Sequence, residues 1–218
     1  MAVTAIVPVK RFGRAKRRLA ATLGDGAVRE LAREMLGDVL DAIGGSAAID
    51  RTLVVTSEWD LPETRAGWLV IPDSRRRSTH SGAARRGIAQ ALAEGASCVA
   101  LLPGDCPLLD PAELDGALRR ARPGRVGIVP DRHGTGTNAL VLCPPDAIEP
   151  AFGEGSRERH ERLARGAGLE PAIERLYSLA IDVDTTDDFA VLRQALDRNP
   201  QLAPRTARAL RRLRGRAA

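Results

Sequence analysis

Apolar residues fall along this chain in two rhythms. Short apolar stretches have the length and β-branched content of buried strands: Ala5-Ile6-Val7, Arg51 to Thr56 (RTLVVT), Trp68 to Ile71 (WLVI), Ser97 to Leu102 (SCVALL), Val126 to Val129, Asn138 to Leu142 and Leu179 to Val183. Between them the spacing turns helical. Val28, Leu31, Ala32, Met35, Leu36, Val39, Leu40 and Ile43 form one such face, closed by Gly44-Gly45. Further helices are predicted over Ser81 to Ala93, Pro111 to Arg120 with Asp110 as N-cap, Ser156 to Ala164, and Thr186 to Leu196 with Asp187 and Asp188 at its positive end. Pro8 is expected to stop the first strand and Pro72 the third.

Strands alternating with helices predict an α/β protein with a mostly parallel, doubly wound sheet. Right-handed crossovers put the loops after successive strands along one edge. Residues 1–200 read as a single domain and 201–218 as a basic tail, expected to be a frayed helix or disordered arm.

Composition changes this picture little. The 218 residues are 44% hydrophobic and 28% charged, ordinary for a soluble globular protein. No apolar run approaches a membrane span, and Lys10 follows the short N-terminal run too closely for a signal peptide, so a cytoplasmic protein with no membrane partner is expected. Cys98, Cys106 and Cys143 lack C-x-x-C spacing and the three histidines lack ligand spacing, so neither a zinc site nor a disulfide framework is expected. Cys98 and Cys143 read as small core residues.

The sequence pI of about 9.8 suggests nucleic acid, but the charge is local. Six arginines lie between Pro204 and Ala218; without them 27 basic residues face 28 acidic ones. Aromatics are only 3%, leaving little to stack bases on, so nucleic acid is not expected as a partner. Deleting Pro204 to Ala218 would separate the readings: a nucleic-acid binder loses affinity, an enzyme keeps most of its activity.

Candidate chemistry begins where the first strand ends. Lys10, Arg11, Arg14, Lys16, Arg17 and Arg18 surround Gly13 with no acid among them; Arg75-Arg76-Arg77 falls in a polar loop after the third strand. A basic loop at the carboxyl end of a buried strand suits a polyphosphate. It is neither a Walker A loop nor G-x-G-x-x-G. Asp105 follows the most apolar strand, and Asp182 and Asp184 end another. Alternation along a strand would let only one of that pair face the crevice. One carboxylate from each strand beside a polyphosphate makes a Mg2+ site. Gly134 to Asn138 (GTGTN) offers free amides and hydroxyls, and Ser156 is expected to cap a helix whose first turn carries Arg157 and Arg159, an anion site.

The segments IVPVKRFGRAKRRL, LLPGDCPLLD, PDRHGTGTNALVL, FGEGSRERH and IDVDTTDDF occur in this order, and together the set resembles the 2-phospho-L-lactate and phosphoenolpyruvate guanylyltransferases of coenzyme F-420 biosynthesis across Val3 to Leu196. The resemblance implies a GT-A-like nucleotidyltransferase (nucleotide-diphospho-sugar transferase) fold. It also implies GTP as donor, Mg2+, a small phosphorylated carboxylic acid as acceptor, and at family level a homodimer. Phosphoenolpyruvate, 2-phospho-L-lactate and 3-phospho-D-glycerate all fit that acceptor class. Residue by residue, it places Lys10, Lys16 and Arg18 on the GTP phosphates as nucleotide-binding and catalytic cations. It makes Asp105 and Asp182 the metal aspartates, Asp105 also catalytic, and assigns Thr137, Gly153 and Ser156 to the acceptor. Where the family carries Leu-Asn ahead of a nucleotide-contacting helix, this chain has His80-Ser81, which leaves Ser81 as the nucleotide-binding candidate there. Cys106 replaces the usual aliphatic in G-D-x-P. The rival readings are a nucleotidyltransferase for molybdopterin or a sugar phosphate, and a non-catalytic nucleotide- or nucleic-acid-binding module.

Overall fold

The computed structural model describes residues 2–14, 16–64, 67–73 and 79–217. The basic triplet Arg75-Arg76-Arg77 lies outside them. The sheet is built outward from β1 (Val3–Val9), which pairs in parallel with β2 (Arg51–Thr56) on one side and β4 (Cys98–Leu101) on the other. β3 (Leu69–Pro72), β5 (Arg125–Pro130), β6 (Thr137–Leu142) and β7 (Glu170–Ile173) complete seven strands in the order β3-β2-β1-β4-β6-β5-β7. Only β6 runs against its neighbours, antiparallel to β4 and β5. Six of the seven predicted strands are present.

The pleat sorts β1 into two cores. Ala5 and Val7 join one apolar cluster with Leu31, Met35 and Leu36 of α2 (Asp25–Gly44). Ile6 joins the other with Ala84 and Ile88 of α3 (His80–Ala93). This is the period-two alternation of a strand covered on both faces. The short α1 (Arg17–Leu23) and α4 (Pro111–Arg119) add Leu19, Leu114 and Leu118 to the α2 side, whereas α5 (Ser156–Gly166) adds Ala164 to the α3 side. α3 lies close to the sheet because Gly87 has no side chain: a methyl there would stand 2.3 Å from Ile6 Cγ2.

Four expectations change. Pro8 does not end β1. The ladder to β4 stops at Ile6, so Pro8 sits where β1 has a neighbour on one side only, opposite Val55 of β2. Leu179 to Val183 is not a strand; it leaves a 3-10 turn (Tyr177–Leu179) and runs without sheet partners into α6 (Thr186–Arg198). Cys98 and Cys143 face each other across the β4–β6 pair and form a disulfide, with Cα atoms 4.4 Å apart. The basic C-terminal stretch is neither frayed nor disordered: it forms α7 (Pro204–Ala217), packed along α2. Ala203, Ala207 and Leu210 are buried in the same cluster as Met35 and Leu36. Asp38 of α2 accepts from Arg205 N (3.1 Å), Thr206 N (2.8 Å) and Thr206 Oγ1 (2.6 Å), satisfying the first turn of α7 from a neighbouring helix.

Candidate functional site

The carboxyl ends of β1 and β4, the start of α3, the β5–β6 loop and the start of α5 surround a cleft of about 1140 Å³. Its floor is Lys16. The chain leaves β1 at Lys10, makes a 3-10 turn over Phe12–Arg14, and reaches Lys16 in the left-handed region (φ 59°, ψ 42°). Buried Glu58 anchors that turn by accepting from Phe12 N at 2.9 Å. The backbone of Lys16 thereby turns its side chain inward. Nζ donates to Asp105 Oδ2 at 2.9 Å, to the Val183 carbonyl at 2.5 Å and to Asp184 Oδ1 at 3.3 Å. The Lys16 side chain is 3% exposed. Burial works against its charge, but Asp105 and Asp184 outweigh burial and hold its pKa above the ordinary lysine value. Burial likewise opposes ionisation of Asp105, and Lys16 more than offsets it, so the Asp105 carboxyl stays below its ordinary value.

Asp182 and Asp184 both line the cleft. The alternation expected of a strand does not apply, because the segment makes a tight turn, with Asp184 N donating to Asp182 O at 3.2 Å. Val183 N, 3.4 Å from Asp105 O, ties it beside the loop after β4. Two carboxylates, Asp105 and Asp184, thus meet one ammonium, and Asp182 lies close enough to both to feel their charge. Burial, with Asp105 and then Asp184 nearby, pushes Asp182 up to about 6. Among the described residues no three His, Cys, Asp or Glu side chains form a ready-made metal cluster. The donor set nonetheless fits a hard divalent cation such as magnesium: one or two carboxylates, open to a cleft that can supply phosphate and water oxygens. Lys10 and Arg18 line the same cleft and are exposed.

The α3 side is built from backbone ends. Thr79 caps α3, accepting from Gly82 N at 3.0 Å, and Ser81 Oγ accepts from Phe152 N at 3.0 Å. The His80 ring meets the Phe152 ring edge-on with centroids 4.7 Å apart. Opposite lie Thr137 and Asn138 of β6, Gly153 (φ 119°) and Ser156. Asn138 Nδ2 donates to Leu179 O at 2.6 Å, bracing the segment that leads to Asp182. Ser156 is not the cap. Gly155 occupies that position, and Ser156 lies inside the helix with its Oγ buried and without a hydrogen-bond partner. Arg159 does not form the expected anion site: its guanidinium donates to the carbonyls of Ala151 (2.7 Å) and Glu154 (2.8 Å), fixing the loop that carries Gly153. Arg157 pairs with Glu161.

Residues 3–194 match the family described as guanylyl transferase CofC like. The chain belongs to this family. It is 46% identical over 199 residues to the phosphoenolpyruvate guanylyltransferase of Conexibacter woesei, covering 90% of this chain and 89% of that protein. It is 38% identical over 193 residues to the enzyme of the same name from Sphaerobacter thermophilus, covering 88% and 93%. The fold is similar to that of a solved structure described as a nucleotide-diphospho-sugar transferase from Desulfovibrio desulfuricans G20. The TM-score is 0.74 at 19% identity, over 97% of this chain and 95% of that one. The protein is therefore a nucleotidyltransferase of the family that serves coenzyme F-420 biosynthesis.

The residues that the family resemblance singled out line this cleft: Lys10, Lys16, Arg18, Ser81, Asp105, Thr137, Gly153, Ser156 and Asp182, whereas Arg157 and Arg159 do not. The sequence left open whether Asp184 joins Asp182, and it gave His160 no role in the site. His160 carried a signal, since it lies four residues after Ser156 on one helix face.

Proposed function

We propose that the protein transfers GMP from GTP to phosphoenolpyruvate and releases pyrophosphate. Lys10, Lys16 and Arg18 hold the GTP phosphates, and Thr137, Gly153 and Ser156 hold the phosphate and carboxylate of the acceptor. Asp105 and Asp182 would hold a magnesium ion, which would supply positive charge against the phosphate oxygens. A phosphate oxygen of the acceptor forms a bond to the α-phosphorus of GTP. The bond from that phosphorus to the β-phosphate oxygen breaks, and pyrophosphate leaves with the electron pair. The attacking oxygen is already ionised near neutral pH, so no side chain has to remove a proton. Catalysis rests on positioning and charge.

What supports this reading most is the meeting of Lys16 with Asp105 and Asp184, brought from three distant parts of the chain to one cleft wall. The choice of phosphoenolpyruvate rests on the names of the relatives at 46% and 38% identity. The test is pyrophosphate release with GTP and Mg2+, offering phosphoenolpyruvate, 2-phospho-L-lactate, 3-phospho-D-glycerate and a sugar 1-phosphate in turn. Phosphoenolpyruvate should give the highest kcat/KM. Turnover with the sugar phosphate and none with the three acids would sink the proposal.

A further inference from the structure

Behind the acceptor wall lies a histidine that the reaction above does not use. His160, on the second turn of α5, has no exposed surface. Both ring nitrogens are engaged. Ala151 N donates to Nε2 at 2.9 Å, and Nδ1 lies 3.0 Å from Thr137 Oγ1. The ring also packs edge-on against Phe152 with centroids 5.3 Å apart, which fixes its plane.

The backbone N–H settles the tautomer. An amide N–H can only donate, so Nε2 presents its lone pair. Burial, reinforced by the charge of Arg159, keeps the ring neutral by bringing its pKa down to about 4. A neutral ring with a bare Nε2 carries its proton on Nδ1, and Nδ1–H then donates to Thr137 Oγ1. Among the described residues no other hydrogen-bond partner of this hydroxyl is found. Its own proton is left for a group in the cleft that Thr137 lines.

We infer that His160 is a positioning residue: it turns the Thr137 hydroxyl into a fixed donor and so restricts that subsite to an oxygen that can only accept, such as an ionised phosphate or carboxylate. Ser156, one helical turn earlier on the same helix, also lines the cleft, and its buried hydroxyl has no partner within the fold. The inference rests on the assignment of Thr137 to the acceptor made above.

Two measurements test it. In the intact chain labelled with 15N-histidine, the His160 signal, assigned by its loss in His160→Asn, should show a protonated Nδ1 and a bare Nε2 at neutral pH. In pyrophosphate-release kinetics, His160→Leu should raise the KM for phosphoenolpyruvate about tenfold, the scale of one lost hydrogen bond, with the KM for GTP unchanged. His160→Asn, whose amide N–H takes the place of Nδ1–H, should restore most of that loss. A proton on Nε2, or an unchanged acceptor KM in a folded leucine variant, overturns the inference. So do two KM values that rise together. If the leucine variant does not fold, the tautomer of the wild-type chain decides. If the wild-type chain releases no pyrophosphate with any acid, the proposed reaction fails, and the tautomer still reports on the hydroxyl.

Discussion

The two ends of the cleft are made in opposite ways. The proposed donor end is ionic and assembled from afar: Lys16, Asp105 and Asp184 come from three separate segments and are held by charge. The proposed acceptor end is local, and His160 beside it is neutral. Thr137, Gly153, Ser156 and His160 span two dozen residues; Thr137 and His160 are joined by a hydrogen bond between uncharged groups, and the Arg159 guanidinium fixes the loop of Gly153 through backbone carbonyls. The difference matches the ligands proposed for each end. A polyphosphate with its metal brings its own charge to be offset, whereas a small acid is told from its analogues by hydroxyls with a fixed direction.

Breaking the donor end should have the largest effect. Asp105→Asn removes charge where the proposed transition state gathers it, and pyrophosphate release should fall roughly a thousandfold with circular dichroism unchanged. Near-normal turnover would refute the ionic account. Lys16→Met leaves the Asp105 and Asp184 carboxylates without their ammonium, beside Asp182. Denaturant unfolding should show a loss on the order of 3 kcal/mol along with lost turnover.

The neutral end should answer to acid instead. His160 has a folded pKa of about 4, below its unfolded value near 6.5. Between these values the unfolded chain binds the extra proton. The stability from neutral His160 is therefore complete above about pH 6.5 and is lost as pH falls towards 4, by on the order of 3 kcal/mol. His160→Asn should flatten that part of the pH–stability curve; an unchanged slope would show that another group titrates there. Ser156→Ala gives the smallest effect and the sharpest contrast. The buried Ser156 Oγ has no partner, so its removal should raise stability by about 1 kcal/mol while it raises the acceptor KM. A variant that loses stability would mean the hydroxyl is satisfied within the fold.

Much of the scaffold was legible because its signals are local. The run Ala5-Ile6-Val7 and the face from Val28 to Ile43 needed no tertiary knowledge, and Asp110 does cap α4, accepting from Ala112 N. The misses share a cause: the deciding partner is far away in sequence. Leu179 and Val183 are fully buried at alternating positions, as in a strand, but they cover a core edge with no neighbouring strand to pair with. β7 was missed because Pro171 sits inside it, which an edge strand tolerates. The Cys98–Cys143 pairing depends on the β4–β6 register. In the site, the family motifs led to the lining residues. Strand alternation would have let only one of Asp182 and Asp184 face the cleft, a geometry the segment does not have, and His160 lies behind the wall, where no motif marks it.

The helix that ends the described chain carries a practical consequence. Ala203, Ala207 and Leu210 seal an apolar strip, and Asp38 relies on Arg205 and Thr206 for its hydrogen bonds. A protein shortened before Pro204 would wet that strip and strand a carboxylate beneath it. Trimming the arginine-rich end is thus equivalent to damaging the interior. Activity lost on truncation would report misfolding, whatever the arginines themselves contribute.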